Sequence, residues 1–209
     1  MTTIELIGVV GGLAETWRAP GLLLLDGHED TMPLDVVEDG EAANCEVGLL
    51  LGLTGRTLRD GLGVPLPALD TDSLCLLGQR DADWRRRFNV GSLADLGVWS
   101  RDLTSMRADP GGAARDAARH LRERTNGWWL HVDVDVLDPT VVPAQGLPDY
   151  PDEPDGLDLG QLAVAMTAAV AEGGCLGLSM AIYDPDQDPA GDDAAHLVEL
   201  VGTTVRALA

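Results

Sequence analysis

The chain has 209 residues, 45% of them apolar and 23% charged, which suits one globular unit with a sizeable core. Its 35 acidic side chains stand against 14 arginines and no lysine, and the net charge of −21 argues against nucleic-acid or anionic-membrane partners. No apolar run approaches the roughly 18 residues of a membrane span, and the opening MTTIELIGVV lacks the basic head and cleavage site of a secretory leader.

Residues 22–25 (LLLL) read as a buried strand that stops at Asp26. Residues 41–53 have helical spacing in their second half, and residues 74–77 (LCLL) form a second strand ended by Gly78. A third strand is expected over 96–99. The Ala-rich stretch 113–124 predicts a helix, its arginines toward the C-terminal end where cations suit the dipole. Residues 128–136 (WWLHVDVDV) alternate in their latter part as a strand does. Beyond a Pro/Asp/Gly loop come an apolar helix over 159–171, a strand over 175–183 and a last helix over 194–208. With no internal repeat or low-complexity linker, residues 1–209 are read as a single domain. Alternating strands and helices predict an α/β fold with a mostly parallel sheet covered on both faces. Ligands in such sheets bind beyond the carboxyl ends of the strands.

Two strands end there in aspartate clusters: Asp26-Gly27-His28-Glu29-Asp30 after the first, and Asp133-Val134-Asp135-Val136-Leu137-Asp138-Pro139 after WWLHV. If the chain stays extended, alternate residues share a face, so D-x-H-x-D presents three ligands to one space and D-x-D two. Gathering that many carboxylates without a cation is costly. Carboxylates with some imidazole suit Mn²⁺. Taken singly, each cluster also reads as a loop, since Asp, Gly and Pro punctuate turns.

Together the clusters resemble the motifs of the ureohydrolases, the arginase, agmatinase and formiminoglutamase family. Asp26–Asp30 resembles D-A-H-x-D with Gly27 for Ala, and residues 133–143 (DVDVLDPTVVP) resemble D-x-D-x-x-D-P-x-x-x-P. Gly146-Leu147-Pro148, Gly156-Leu157 and Leu77-Gly78-Gln79-Arg80-Asp81 are similar to lesser landmarks. The resemblance implies a three-layer α/β/α, arginase-like fold and a binuclear Mn²⁺ centre. Asp26 and Asp133 would bridge the metals, His28 and Asp135 would complete one site, and Asp30 would serve the other. A metal-bridging hydroxide would attack the central carbon of a guanidine or amidine, with Asp30 orienting it. The partners implied are a small cationic substrate and other copies of the chain, in a trimer or hexamer.

The chain departs from the family pattern in three places. Relatives carry a G-G-D-H-type segment upstream of the first cluster, whose His ligates the second metal. The 25 residues before Asp26 contain no His, so five of six implied ligands are present, and either a segment has been lost from this version of the chain or one metal site is weakened or empty. The opening IELIGVV resembles the family's first strand and leads at once into a helix, which gives an abbreviated N-terminal part. Ile182-Tyr183-Asp184-Pro185 stands where the family has E-x-N-P, so Ile182 replaces the carboxylate that pairs with the substrate cation. Of the arginase contacts to the amino-acid end, Asn44 and Asp83 match as substrate-binding positions, while Met32 and Ala42 do not. Glu46 lies where the family's proton-carrying His would be; it is read as a catalytic acid or base, or as an ordinary helix-capping or surface Glu. Asp83 is alternatively a helix N-terminal acid. Two functional readings follow: a metal-dependent C–N hydrolase, or a non-catalytic or metal-impaired homologue.

Of the other histidines, His120 and His196 read as solvated or packed. His131 shares a face with Asp133 and Asp135 and is read as hydrogen-bonding a ligand rather than being one. Arg85-Arg86-Arg87 is expected to pair with neighbouring carboxylates or to face another subunit. Three widely spaced cysteines, Cys45, Cys75 and Cys175, fit the core of a protein in a reducing, cytoplasmic interior. The acidic loops 149–158 and 184–193 would rim the mouth and draw in cations.

Overall fold

The computed structural model describes residues 5–16, 19–33, 44–55, 61, 63, 66–145 and 155–208. Five strands among them form one parallel sheet: β1 (Gly21–Leu25), β2 (Leu74–Leu77), β3 (Trp99–Arg101), β4 (Trp128–Asp133) and β5 (Cys175–Ala181). Their order is β3-β2-β1-β4-β5, which puts β1 at the centre. That position explains LLLL, because a central parallel strand is covered on both faces and has no polar side to show. Leu22 and Leu24 pack with Leu6 and Val10 of α1 (Glu5–Thr16) and Val47 and Leu50 of α2 (Glu46–Leu50). Leu23 and Leu25 pack on the other face. There they meet α5 (Pro110–Arg124), α6 (Leu159–Ala171) and α7 (Asp192–Leu208). The result is the expected three layers of helix, sheet and helix.

Local chemistry fixes the ends. Asp109 accepts from the Gly112 N–H with Pro110 in the first turn, so α5 begins three residues before the predicted 113. Asp158 and Gln161 form a reciprocal capping box that starts α6. α7 starts at Asp192, two residues before the predicted 194. Two further short helices are present: α3 (Ala82–Arg87), which has Asp83 in its first turn as one reading of that residue expected, and α4 (Leu103–Ala108), which carries too few periodic apolar residues to stand out in the sequence.

Several expectations are corrected. The opening IELIGVV is helical from Glu5, not a strand: Leu6, Ile7, Val10 and Gly11 are its buried residues, a helical spacing. The third strand does not cover 96–99. Residues Leu93–Leu96 form a 3-10 turn, Gly97 adopts φ 91°, and β3 starts only at Trp99. The helix expected in the second half of 41–53 runs over Glu46–Leu50; residues 41–43 lie outside the described residues, as do Gly146, Leu147 and Pro148. β5 stops at Ala181 rather than Tyr183, because Ile182 takes a left-handed φ of 60°. Trp128 is core and Trp129 half-buried, as alternation along β4 requires. Among the described residues no helix is long and apolar enough to cross a membrane.

Candidate metal centre

The centre lies beyond the carboxyl ends of β1 and β4. The register pairs Leu24 with His131 and Leu25 with Val132. Continued by one residue, it sets Asp26 beside Asp133. Past that level neither segment stays extended, which corrects the alternation argument. Asp26 Oδ1 accepts the His28 N–H at 2.7 Å, and Asp133 Oδ1 accepts the Asp135 N–H at 3.1 Å. Each aspartate folds its own segment into a tight turn. β4 therefore ends at Asp133, and residues Val134–Val136, expected as strand, form a 3-10 turn. Asp30 is left-handed with φ 49°, a conformation that Asp tolerates better than most residues.

These turns bring Asp26, His28 and Asp135 together, one ligand atom from each lying within 4.8 Å of the others. His28 Nδ1 meets Asp135 Oδ2 at 2.8 Å and lies 3.7 Å from Asp26 Oδ1. Asp135 also accepts the Gly27 N–H on Oδ1 at 2.9 Å, while Arg80 Nη1 donates to its backbone carbonyl at 2.6 Å. Gly27 matters for the second contact: a Cβ there would run into the Arg80 guanidinium.

Around this trio lie Asp30, Asp133 and Glu46, all buried. Burial and the neighbouring Asp135 charge push Asp26 up to about 7. Burial raises Asp133 well above the usual carboxylate range, helped by Asp135 and Asp26. Asp30 rises likewise through burial and the charges of Asp26 and Glu46. Asp135 goes the other way: burial is outweighed by the His28 charge and hydrogen bond, Arg80 and the Gly27 N–H, which hold it at about 2. Glu46 sits in the first turn of α2 rather than at the surface, and burial raises it well above its ordinary value. Its carboxyl abuts Asp30; Oε2 accepts the Cys45 N–H at 3.2 Å, while Oε1 receives no N–H or O–H. Asp26 Oδ2 also lacks a donor. Five buried carboxylates with one adjacent imidazole and one arginine are short of positive charge, which a divalent cation would supply.

The substrate-side positions are less tightly drawn in. Asn44 is half-buried at the start of the α2 turn, where its backbone carbonyl accepts the Met32 N–H at 2.9 Å. Asp83 is exposed on α3 and pairs with Arg86. Ile182 packs against the core on the α5–α7 side of the sheet. The sequence reading passed over Glu29, although it sits inside the first motif. Its carboxylate accepts from Ser92 Oγ and the Leu93 N–H, both at 2.7 Å, and pairs with Arg85 at 3.1 Å. Asp81 accepts the Glu29 N–H at 3.1 Å and Arg85 Nε at 2.9 Å, tying the loop to α3. Burial of both carboxylates was the missing signal. His120 bonds the Asp72 carbonyl, and His196 is exposed on α7.

A parallel α/β/α sheet with a carboxylate–imidazole cluster beyond its central strands, a group that could hold a metal ion, is an arrangement of the ureohydrolase type. Residues 6–205 match the family model described as the arginase family, and the chain belongs to that family. It is 27% identical over 201 residues to the arginase of Eremothecium gossypii, and 28% over 200 residues to that of Brucella melitensis biotype 1. Each match takes in 94% of this chain but only 47% and 61% of the relatives, so the chain spans about half to three fifths of their length. The fold is similar to that of the arginase from Bacillus caldovelox, with a TM-score of 0.83 at 22% identity over 96% of this chain and 65% of that one.

Proposed function

We propose that the chain is a metal-dependent hydrolase that cleaves a C–N bond of a small linear guanidine or amidine. The observation that carries this reading is the excess of buried carboxylate at Asp26, Asp30, Asp133, Asp135 and Glu46, gathered about His28 in an arginase-family fold. Asp26, His28 and Asp135 would hold one divalent cation, Mn²⁺ by their chemistry, and Asp30 with Asp133 would reach a second. Bound there, such ions lower the pKa of water to near neutrality and polarise the carbon under attack.

The remaining roles belong to the chain. Asp30 accepts a proton from the attacking water and so orients it. Glu46, carboxyl against carboxyl with Asp30, gives a proton to the leaving amine and then takes the one that Asp30 received from the attacking water; burial raises its pKa, which favours the proton-bearing form such an acid starts from. Asn44 and Asp83 are the candidate contacts to the distal end of the substrate. Asp184, Asp186 and Asp188 follow β5 in chain order and favour a cationic ligand. With Ile182 in place of a carboxylate, the reacting group is held by fewer charges than in L-arginine hydrolysis, which favours an amidine. We read residues 1–209 as one unit that assembles with further copies of itself.

The same Ile182 supports a second reading, a metal-binding homologue that does not turn over. Purified protein loaded with Mn²⁺ and offered linear guanidines and amidines separates the two. Release of urea, ammonia or an amide that stops on chelation is the expected result. Activity that survives complete removal of metal sinks the hydrolase reading, and tight Mn²⁺ binding with no product from any such substrate favours the second.

A further inference from the structure

A centre that admits substrate is open on some side, and the open side of this one is aromatic. We propose that Trp84 recognises the substrate's cation, receiving a planar amidinium or guanidinium on its indole face beside His28. The inference rests on the proposed function and deepens it, by naming the side chain that meets the reacting group.

Three observations carry it. The first is access. Asp26, Asp30, Asp133, Asp135 and Glu46 are all buried, whereas His28 is half-buried. Its side chain is 15% exposed, against 1% for Asp26 and 7% for Asp135. Among the described residues the trio therefore meets solvent on the His28 side. The second is placement. The Trp84 ring stands beside that imidazole in a T-shaped contact, with centroids 6.3 Å apart and planes at 74°. α3 is fixed there because Asp81, at its start, accepts both the Glu29 N–H and Arg85 Nε, and Arg85 also pairs with Glu29. The third is that packing does not account for the ring. Trp84 is half-buried and belongs to neither apolar core; its ring neighbours are His28 and, at 5.4 Å, Phe88.

The chemistry of the ring selects the ligand. An indole face attracts a cation within about 6 Å of its centroid, more strongly than any other aromatic side chain does. A delocalised planar cation can lie flat on it, as the Arg101 guanidinium does over Trp99 at 4.4 Å. Among the described residues that arginine–indole contact is made at Trp99 and not at Trp84. Arg85 is taken up by Glu29 and Asp81, and Arg86 by Asp83. Other rings near the centre fit less well. His131 is fully buried and meets Ser179 Oγ at 2.7 Å, and Trp129 donates to the same oxygen at 2.9 Å. With Ile182 packed on the α5–α7 side, Trp84 gives the reacting cation a partner and leaves the buried acids to the metals. Asp83, one residue earlier on α3, would then take the distal end.

The test is calorimetric binding of acetamidinium, and of acetamide as its neutral isostere, to the Mn²⁺-loaded full chain in the cold, where turnover is slow. Trp84→Leu should weaken acetamidinium by about 5- to 30-fold, the range of a cation–indole contact, and leave acetamide unchanged. Trp84→Phe keeps a weaker ring and should fall between wild type and Trp84→Leu. Equilibrium dialysis should find the same number of Mn²⁺ ions, bound equally well, in all three. Thermal unfolding identifies a variant that fails to fold, and Trp84→Phe then carries the comparison. Equal losses for both ligands, or none for either, overturn the recognition role and leave the proposed function standing. So does a folded variant that has lost Mn²⁺, which would make the indole a support for His28. A wild-type chain that binds Mn²⁺ yet neither binds nor cleaves acetamidinium or any linear guanidinium overturns both.

Discussion

Two buried charged clusters share the loop that follows β1, and they are balanced in opposite ways. Glu29 and Asp81 close on Arg85, with the Ser92 hydroxyl and the Leu93 N–H filling the remaining positions on Glu29. Three residues away, Asp26, Asp30, Asp133, Asp135 and Glu46 gather with only His28 and a single Arg80 contact to offset them. Burial is alike in both, and donors are not. The first cluster is complete within the chain and fixes the loop to α3. The second leaves Asp26 Oδ2 and Glu46 Oε1 without a donor, which marks it as the candidate site.

The largest expected effect breaks the balanced cluster. Arg85→Met leaves two carboxylates buried without their cation and should cost about 3–5 kcal/mol in urea unfolding. In whatever fraction still folds, added Mn²⁺ should stabilise as in wild type. A loss below about 1 kcal/mol, the range of exposed pairs, would remove the structural role given to Arg85. Next in size is the unbalanced cluster. Mn²⁺ at 100 times its dissociation constant should stabilise the wild type by about 2.7 kcal/mol. Asp26→Asn should abolish that gain yet leave the metal-free protein no less stable, because Asn keeps the Oδ1 acceptor for the His28 N–H and removes the buried charge whose Oδ2 lacks a donor. Were Asp26→Asn destabilising without metal and normally responsive with it, the two clusters would not differ as argued.

Much of this contrast was legible in the sequence. The four-leucine run and the aspartates that end it located β1 and the mouth of the sheet. The D-x-H-x-D and D-x-D spacings picked out the residues that converge, though for a reason that proved wrong. Asp26 and Asp133 bend their own segments through side-chain to backbone bonds, and alternation has no part in it. Glu29 was passed over because an acidic residue within an acidic motif looks like any other until its burial is known. Glu46 showed the same ambiguity between surface cap and buried acid. Ile182 was flagged as a lost carboxylate, but its left-handed backbone and its packing toward the α5–α7 side depend on long-range contacts that no local pattern encodes.

A pH series sharpens the comparison from the side of charge. Asp26 carries a proton in the folded protein up to about pH 7, whereas its ordinary value is 3.8. Between those values the folded form binds more protons than the unfolded one, so metal-free stability should fall as pH rises through the window. Asp135, held at about 2, acts in the opposite sense: the stability it contributes is present above 3.8 and is lost as pH falls through 2. Urea midpoints in the presence of a chelator should therefore be higher at pH 5 than at pH 8, and Asp26→Asn should reduce the difference, with Asp30, Asp133 and Glu46 keeping their share of it. Mn²⁺ should reverse the slope, because the cation replaces the proton and binds more tightly as pH rises. An unchanged slope in Asp26→Asn would place the titration elsewhere.

The smallest expected effect concerns Asp83, the position where the family resemblance and the structure pull apart. Its side chain is 82% exposed and its partner is Arg86, one turn along the same short helix. Solvent-exposed pairs of this spacing contribute roughly 0.3–0.5 kcal/mol at most, and salt screens them. Asp83→Ala should therefore leave the urea midpoint and the number of bound Mn²⁺ ions unchanged. Exposure is a poor setting for a structural charge but no obstacle to one that meets substrate, so the informative measurement is kinetic. If Asp83 holds the distal amine of a substrate, the variant should raise KM for substrates that carry that amine, leave KM unaltered for those that lack it, and keep kcat in both, since only binding common to ground and transition states is lost. Equal KM values across the two substrate sets would make Asp83 a helix-start acid and confine substrate recognition to the inner side of the mouth, around Trp84, Asn44 and Glu46.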